Sequence, residues 1–251
     1  AFEGVCRSIA TWRRIGANSD NLVSRMVGSA YAGETYPALF LEMLVDTPRD
    51  VALPAACTEA FAPLTDAEVS LCLAMRGEFA YQESAAEQIG KRGYKSDESF
   101  PDALLPLVYS KEMFLADSAE ALGHFCLPEM QRDMREDLLM PRPQTSPGFW
   151  RLQCVSNAMG CMLVEIALPA FDGYSARVLD ANAHLRLIAL LLRMRADTGD
   201  TRSTFVRLRA MQDKVGSSVR ELSLGADGRT VRMRNYDTGR GEFRETPLPP
   251  Y

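Results

Sequence analysis

Apolar residues recur three and four apart along roughly the first 200 residues of the chain. Beyond Gly216 the period changes to two. The first regime predicts amphipathic helices. Residues 5–16 read as a short helix carrying Trp12 and Ile15, and Asn18-Ser-Asp-Asn21 can cap a second that carries Leu22, Met26 and Ala30. Gly33 and Pro37 threaten its continuation. Leu39, Phe40, Met43 and Leu44 nevertheless keep the helical period, so a kinked or two-part helix ending near Asp46-Thr-Pro48 is expected. Thr65-Asp-Ala-Glu68 has the form of a capping box, opening a helix through Leu71, Met75 and Phe79 toward Ile89. Residues 91–101 read as a loop, 102–123 as helix with a break at Asp117-Ser118, and Pro128 to Leu139 as helix again.

Pro141-Arg-Pro-Gln-Thr-Ser-Pro147-Gly reads as a long connection within one helical domain. Helices are expected behind it at 149–167, at 173–197 with Gly199 as the C′ residue, and at Thr204–Val215. Leu185, Leu187, Ile188, Leu190, Leu191 and Leu192 occupy more than one face of the second of these, which makes it a central helix. The period-two segment then runs Val219-Arg-Glu-Leu-Ser-Leu, a Gly-Ala-Asp-Gly turn, Arg229-Thr-Val-Arg-Met-Arg, and a third strand at Glu242-Phe-Arg-Glu. The fold class is therefore mainly α: a multi-helix body over 1–215, with its Pro-rich connection near 141–148, and a small C-terminal antiparallel β-meander over 216–246 packed on it.

Composition narrows the function. The 251 residues are 47% hydrophobic and 24% charged, as in an ordinary globular protein. Ten Lys/Arg and six Asp/Glu fall between Arg202 and Glu245, a balance of +4 that leaves −9 for the remainder of a chain of net charge −5. An acidic body argues against nucleic acid as a partner, because DNA binding rests on neutralising phosphates with Lys and Arg. The arginines of the tail are expected on the solvent face of the small sheet. No run approaches the roughly 20 apolar residues of a membrane span. The chain begins at Ala1 with nothing like a signal peptide, and any signal or anchor is expected outside this sequence.

Six cysteines, an even number, permit full pairing. Cys57 and Cys72 flank a helix–helix turn and form the expected local pair. Cys154 and Cys161 stand seven apart on one predicted helix, about 10 Å along its axis, beyond the roughly 7 Å Cα limit for a bridge, so they are expected to pair elsewhere.

Candidate chemistry is sparse. His124 and His184 each follow an acid by four residues, Glu120 and Asp180, but neither belongs to a metal-binding helix motif, so no metal is expected. Asp197-Thr-Gly199 and Asp237-Thr-Gly239 match the triplets of aspartic proteases, yet ordinary turn chemistry accounts for both. There is no Gly-x-Ser-x-Gly elbow, phosphate-binding Gly loop or Cys-x-x-Cys, and no cofactor is implied. Glu78, Glu83 and Glu87 share a helix and read as a solvated face. Asp133, Glu136 and Asp137 form a second acidic cluster, a candidate patch for a basic protein partner.

Several phrases taken together carry a resemblance. They are Trp12-Arg-Arg-Ile, Ser19-Asp-Asn-Leu-Val-Ser-Arg-Met-Val27, Phe61-Ala-Pro-Leu-Thr-Asp-Ala-Glu68 leading to Arg76-Gly-Glu-Phe79, Asn157-Ala-Met-Gly160 and Ala183-His-Leu-Arg-Leu-Ile188. Their order resembles a group of uncharacterised membrane-anchored helical periplasmic proteins of proteobacteria with a short β-rich end. The chain departs from the group at that end, where no Asp-Pro-Phe turn precedes the last strands. The resemblance implies a periplasmic, inner-membrane-anchored location, and a kinship with proteins that neutralise secreted antibacterial effectors. The function expected is thus a non-catalytic binding protein, most concretely an immunity protein acting by occlusion on a toxin partner. The alternatives are an envelope glycan hydrolase using paired carboxylates and an envelope assembly or scaffold component.

Overall fold

The computed structural model describes residues 1–92, 105–139, 152–197, 199, 202–215 and 220–249. It is mainly α-helical with a small three-stranded antiparallel sheet at the C-terminal end. The Pro-rich connection at 141–148 lies outside the described residues.

Helices α1 (Phe2–Ala17) and α2 (Leu22–Ala30) form an antiparallel hairpin. Asn21 caps α2, its side chain accepting from the Ser24 N–H at 3.0 Å. The two helices touch backbone to backbone: a Cβ on Gly28 would lie 2.8 Å from the Gly16 Cα. The kink expected after α2 is a π-helical turn, Tyr31–Thr35, leading into α3 (Tyr36–Val45). Pro37 has no N–H to offer the carbonyl four residues back, that of Gly33. That oxygen instead accepts from His184 Nδ1 at 2.7 Å. Gly33 itself lies so close to the central helix that a Cβ there would fall 2.3 Å from the Ala181 Cβ.

Helices α4 (Ala55–Ala60) and α5 (Asp66–Val69) follow. The Thr65 capping box forms as expected, but it opens only the four residues of α5. A break at Ser70–Leu71 separates it from α6 (Cys72–Arg92). After α7 (Leu105–Val108), α8 (Lys111–Gly123) runs unbroken through Asp117-Ser118, contrary to the break expected there. A 3₁₀ turn at His124–Cys126 leads to α9 (Pro128–Arg135).

The helix expected at 149–167 is instead a single turn, α10 (Gln153–Ser156), a break at Asn157, and then α11 (Ala158–Ala196), which continues without interruption for 39 residues. Every residue from Val178 to Leu185 in α11 is buried, so it is the central helix that its apolar pattern predicts. The core is strung along it in three clusters. Val164 joins Ala86, Tyr109 and Phe114; Phe171, Val178 and Leu179 join Met75, Phe125 and Met134; Leu187, Ile188 and Leu191 join Ile9, Phe40 and Leu44. Helix α12 (Thr204–Val215) has the limits its sequence predicts.

Strands β1 (Leu222–Leu224), β2 (Thr230–Arg234) and β3 (Phe243–Pro247) pair in the order β1-β2-β3, with Leu222 opposite Met233 and Arg232 opposite Glu245. Leu222, Val231 and Met233 face inward and extend the largest core cluster. Arg232 and Arg234 lie on the other face beside Glu245 and Glu242, as expected of tail arginines.

The cysteines pair differently from expectation. Cys57 bonds Cys6, which ties α4 to α1, and Cys72 bonds Cys126, which ties the start of α6 to the 3₁₀ turn after α8. Proximity in sequence misled here, because Cys57 and Cys72 face different helices. Cys154 and Cys161 do bond each other. The estimate of about 10 Å assumed one regular helix, whereas the break at Asn157 (φ −138°, ψ 38°) brings the Cα atoms to 5.8 Å. Asn157 is fully buried, and its side-chain oxygen accepts from the Ser110 N–H at 2.9 Å.

Peptide mapping without reduction should recover the pairs 6–57, 72–126 and 154–161. Replacing Cys6 and Cys57 by alanine should lower stability to urea by about 2–5 kcal/mol, as expected for a bridge closing a long loop. Unchanged stability would show that the first bridge does not form.

Candidate partner-binding surface

The acidic cluster singled out in the sequence is not a surface patch. Helix α9 closes in a Schellman arrangement: the Leu138 N–H donates to the Asp133 carbonyl at 2.8 Å and that of Asp137 to Met134 at 3.3 Å. This places Asp137 in the left-handed region, φ 58°, and turns its side chain inward. Asp133 and Asp137 are buried, and of the three only Glu136 is exposed.

Asp137 belongs instead to an interior ion cluster. Arg220, just before β1, donates from Nε and Nη2 to its two carboxylate oxygens at 2.9 and 3.0 Å. The same guanidinium bonds Asp180 of α11 and lies 3.6 Å over the Tyr236 ring. Asp180 also accepts from the backbone N–H groups of Tyr236 and Asp237 at 2.8 and 2.9 Å. Burial lowers and its two carboxylate partners raise the pKa of Arg220; the partners prevail. Asp137 is pushed up by burial, against the pull of Arg220. Asp180 and Asp137 are each 2% exposed at the side chain, so this carboxylate pair is closed to a substrate. His184, four residues on, is held instead by the Gly33 carbonyl.

A second cluster fixes the hairpin. Arg13 of α1 donates to Glu68 at 2.6 and 3.1 Å, and to the Ala60 carbonyl at 2.7 Å. Burial opposes ionisation of Glu68, but Arg13 and the Thr65 cap hold its carboxyl below the usual range. Arg25 of α2 bonds the Glu68 carbonyl. In this way both hairpin helices are pinned to the α4–α5 segment.

Held there, the hairpin presents apolar side chains outward. Val23, Val27 and Tyr31 recur four apart from α2 into the π-turn, and Trp12 and Ile15 stand three apart on α1. Val23 is 70% exposed and Ile15 43%. Tyr31 stacks on Trp12 with ring centroids 4.7 Å apart and planes at 23°, and Tyr36 adjoins it at 5.9 Å. Rigid, half-exposed Trp and Tyr rings are the groups that most often anchor a protein interface. From the sequence alone Trp12 and Ile15 read only as members of the first helix. The overlooked signal was a second apolar face on the Leu22 helix, at Val23 and Val27.

The remaining candidates resolve as follows. Asp197 and Asp237 each accept from the N–H two residues on, at 3.2 Å, the local hydrogen bond that Asp makes in ordinary turn chemistry. Glu83 and Glu87 are exposed, with Glu87 paired to Lys111 at 3.4 Å, and burial raises the half-buried Glu78. Among the described residues no three His, Cys, Asp or Glu side chains gather as a metal site, and no helix is long and apolar enough to cross a membrane. No protein-family model, curated protein or solved structure matches the chain.

Replacing Arg220 by alanine strands two buried carboxylates, and should cost about 3–5 kcal/mol of stability. His184 supplies a separate pH test. Burial and the neighbouring Arg244 depress it to about 3, below the 6.5 of the unfolded chain. Its contribution is complete above pH 6.5 and is lost as pH falls, at about 1.4 kcal/mol per unit. Urea titrations between pH 6.5 and 4.5 should therefore show a shallower pH slope for His184→Gln than for the native chain. Equal slopes would refute the neutral buried imidazole.

Proposed function

We propose that this chain is a non-catalytic binding protein of the periplasm, most concretely an immunity protein that neutralises a toxin delivered into the cell envelope. The mode of action is occlusion: a preformed surface covers the toxin. The observation that carries this reading is the Trp12–Tyr31 stack, with Tyr31 exposed and Trp12 partly buried, on a hairpin clamped by the buried Arg13–Glu68 ion pair. Such a surface loses little conformational freedom when it docks, so more of its contact energy appears as affinity. Three disulfides suit an oxidising compartment outside the cytoplasm. The partner is a protein and no cofactor takes part. The resemblance to membrane-anchored periplasmic proteins points the same way.

A secreted toxin encoded by an adjacent gene is the kind of partner to try first. Co-production should protect cells from it, and the purified proteins should form a nanomolar complex. Trp12→Ala and Tyr31→Ala should each cost about 2 kcal/mol of binding, roughly 30-fold in Kd, with thermal unfolding little changed. Undiminished protection by the double variant would remove the hairpin from the account. Substrate turnover by the purified chain would remove the binding role altogether.

A further inference from the structure

The core leaves a cavity of about 250 Å³ between two of its clusters. Ala86, Phe114 and Val164 line it from one cluster, and Leu122 and Phe171 from the other, so α6, α8 and α11 all contribute walls. Protein interiors are close-packed, with few voids larger than a water molecule. An apolar cavity of about 150 Å³ already takes up benzene, so this one has room for a ring with a substituent. Of its described lining residues only Tyr81, 70% exposed, stands at the surface.

The lining is not wholly apolar. It includes Ser118 of α8 and Gln82 of α6. The Ser118 hydroxyl and the Gln82 side-chain oxygen are closed to solvent and find no hydrogen-bond partner among the described residues. Ser118 is only 3% exposed. A serine inside a helix can satisfy its hydroxyl on the carbonyl four residues back, but Ser118 makes no such bond to Phe114. Buried polar groups are nearly always paired, and an unpaired one calls for a specific explanation. No described lining residue carries a charge, so an ion entering the cavity would lose its hydration without compensation. A pure hydrocarbon would leave both polar atoms unpaired. The Phe114 and Phe171 rings favour an aromatic occupant. Together these constraints select a neutral ring that carries a hydroxyl.

We propose that this cavity binds a small neutral phenol, its ring against Phe114 and Phe171 and its hydroxyl on Ser118. Titration calorimetry of the full chain with p-cresol, and with p-xylene, which has a methyl in place of the hydroxyl, tests this. The expected result for p-cresol is one site with a Kd below about 1 mM. Ser118→Ala should weaken p-cresol about five-fold, the worth of one neutral hydrogen bond, and leave p-xylene unweakened. A serine that served packing alone would move both ligands alike. Ala85→Phe should abolish binding of both. Ala121→Met serves the same purpose if the phenylalanine variant fails to fold. Absence of saturable p-cresol binding, equal changes for the two ligands in Ser118→Ala, or p-cresol binding unmoved in folded Ala85→Phe or Ala121→Met would each overturn the proposal. The Trp12–Tyr31 surface plays no part in any of these measurements.

Discussion

Arg220 reaches from the start of the sheet segment into the helical body and closes on two buried carboxylates from different helical segments. A lone buried charge costs several kcal/mol, and the penalty is offset only when partners and hydrogen bonds are nearly complete. Here Asp137 accepts both forks of the guanidinium, Asp180 takes the remaining nitrogen and two backbone N–H groups, and the Tyr236 hydroxyl donates to the Asp137 carbonyl. Each group is tolerable inside because the others are there. The end of α9, the middle of α11 and both sides of the meander must therefore assemble in one register. Asp180 is carried in the buried stretch of the long central helix on this condition, and His184 meets it separately through the Gly33 carbonyl.

The same economy of partners explains the hairpin that bears the proposed binding face. Arg13 and Arg25 draw α1 and α2 onto the α4–α5 segment, and Cys6–Cys57 adds a covalent tie. Close contact at Gly16 and Gly28 sets the two helices side by side. With the inner faces so fully engaged, Val23, Val27 and Tyr31 turn outward, and Trp12 backs the Tyr31 ring. A rigid scaffold with a partly exposed aromatic stack is suited to holding a partner.

The parts legible in the sequence are those fixed locally. The Gly-Ala-Asp-Gly turn, the Thr65 capping box and the limits of α12 follow from backbone and cap preferences of neighbouring residues. The central role of α11 follows from leucines on more than one face. Features that depend on distant partners were hidden. Asp133, Glu136 and Asp137 look like a charged patch until the left-handed residue at 137 turns inward to meet Arg220, 83 residues away. The basic tail reads as a solvent face, and Arg232 and Arg234 obey, but Arg220 does not. Cys154 and Cys161 were kept apart by an assumed regular helix. Asn157 breaks it, its side chain engaging the Ser110 backbone far along the chain. The Trp12–Tyr31 stack was obscured because its two halves lie on different helices.

The central claim is that the chain acts by holding a protein against its α1–α2 face. Hydrogen–deuterium exchange of the purified chain, alone and with a candidate toxin, tests that claim most directly. The account predicts slowed exchange concentrated between Trp12 and Tyr36, with the Arg220 region equally protected in both states. Protection confined to another face, or none with a toxin that the chain neutralises, would contradict it.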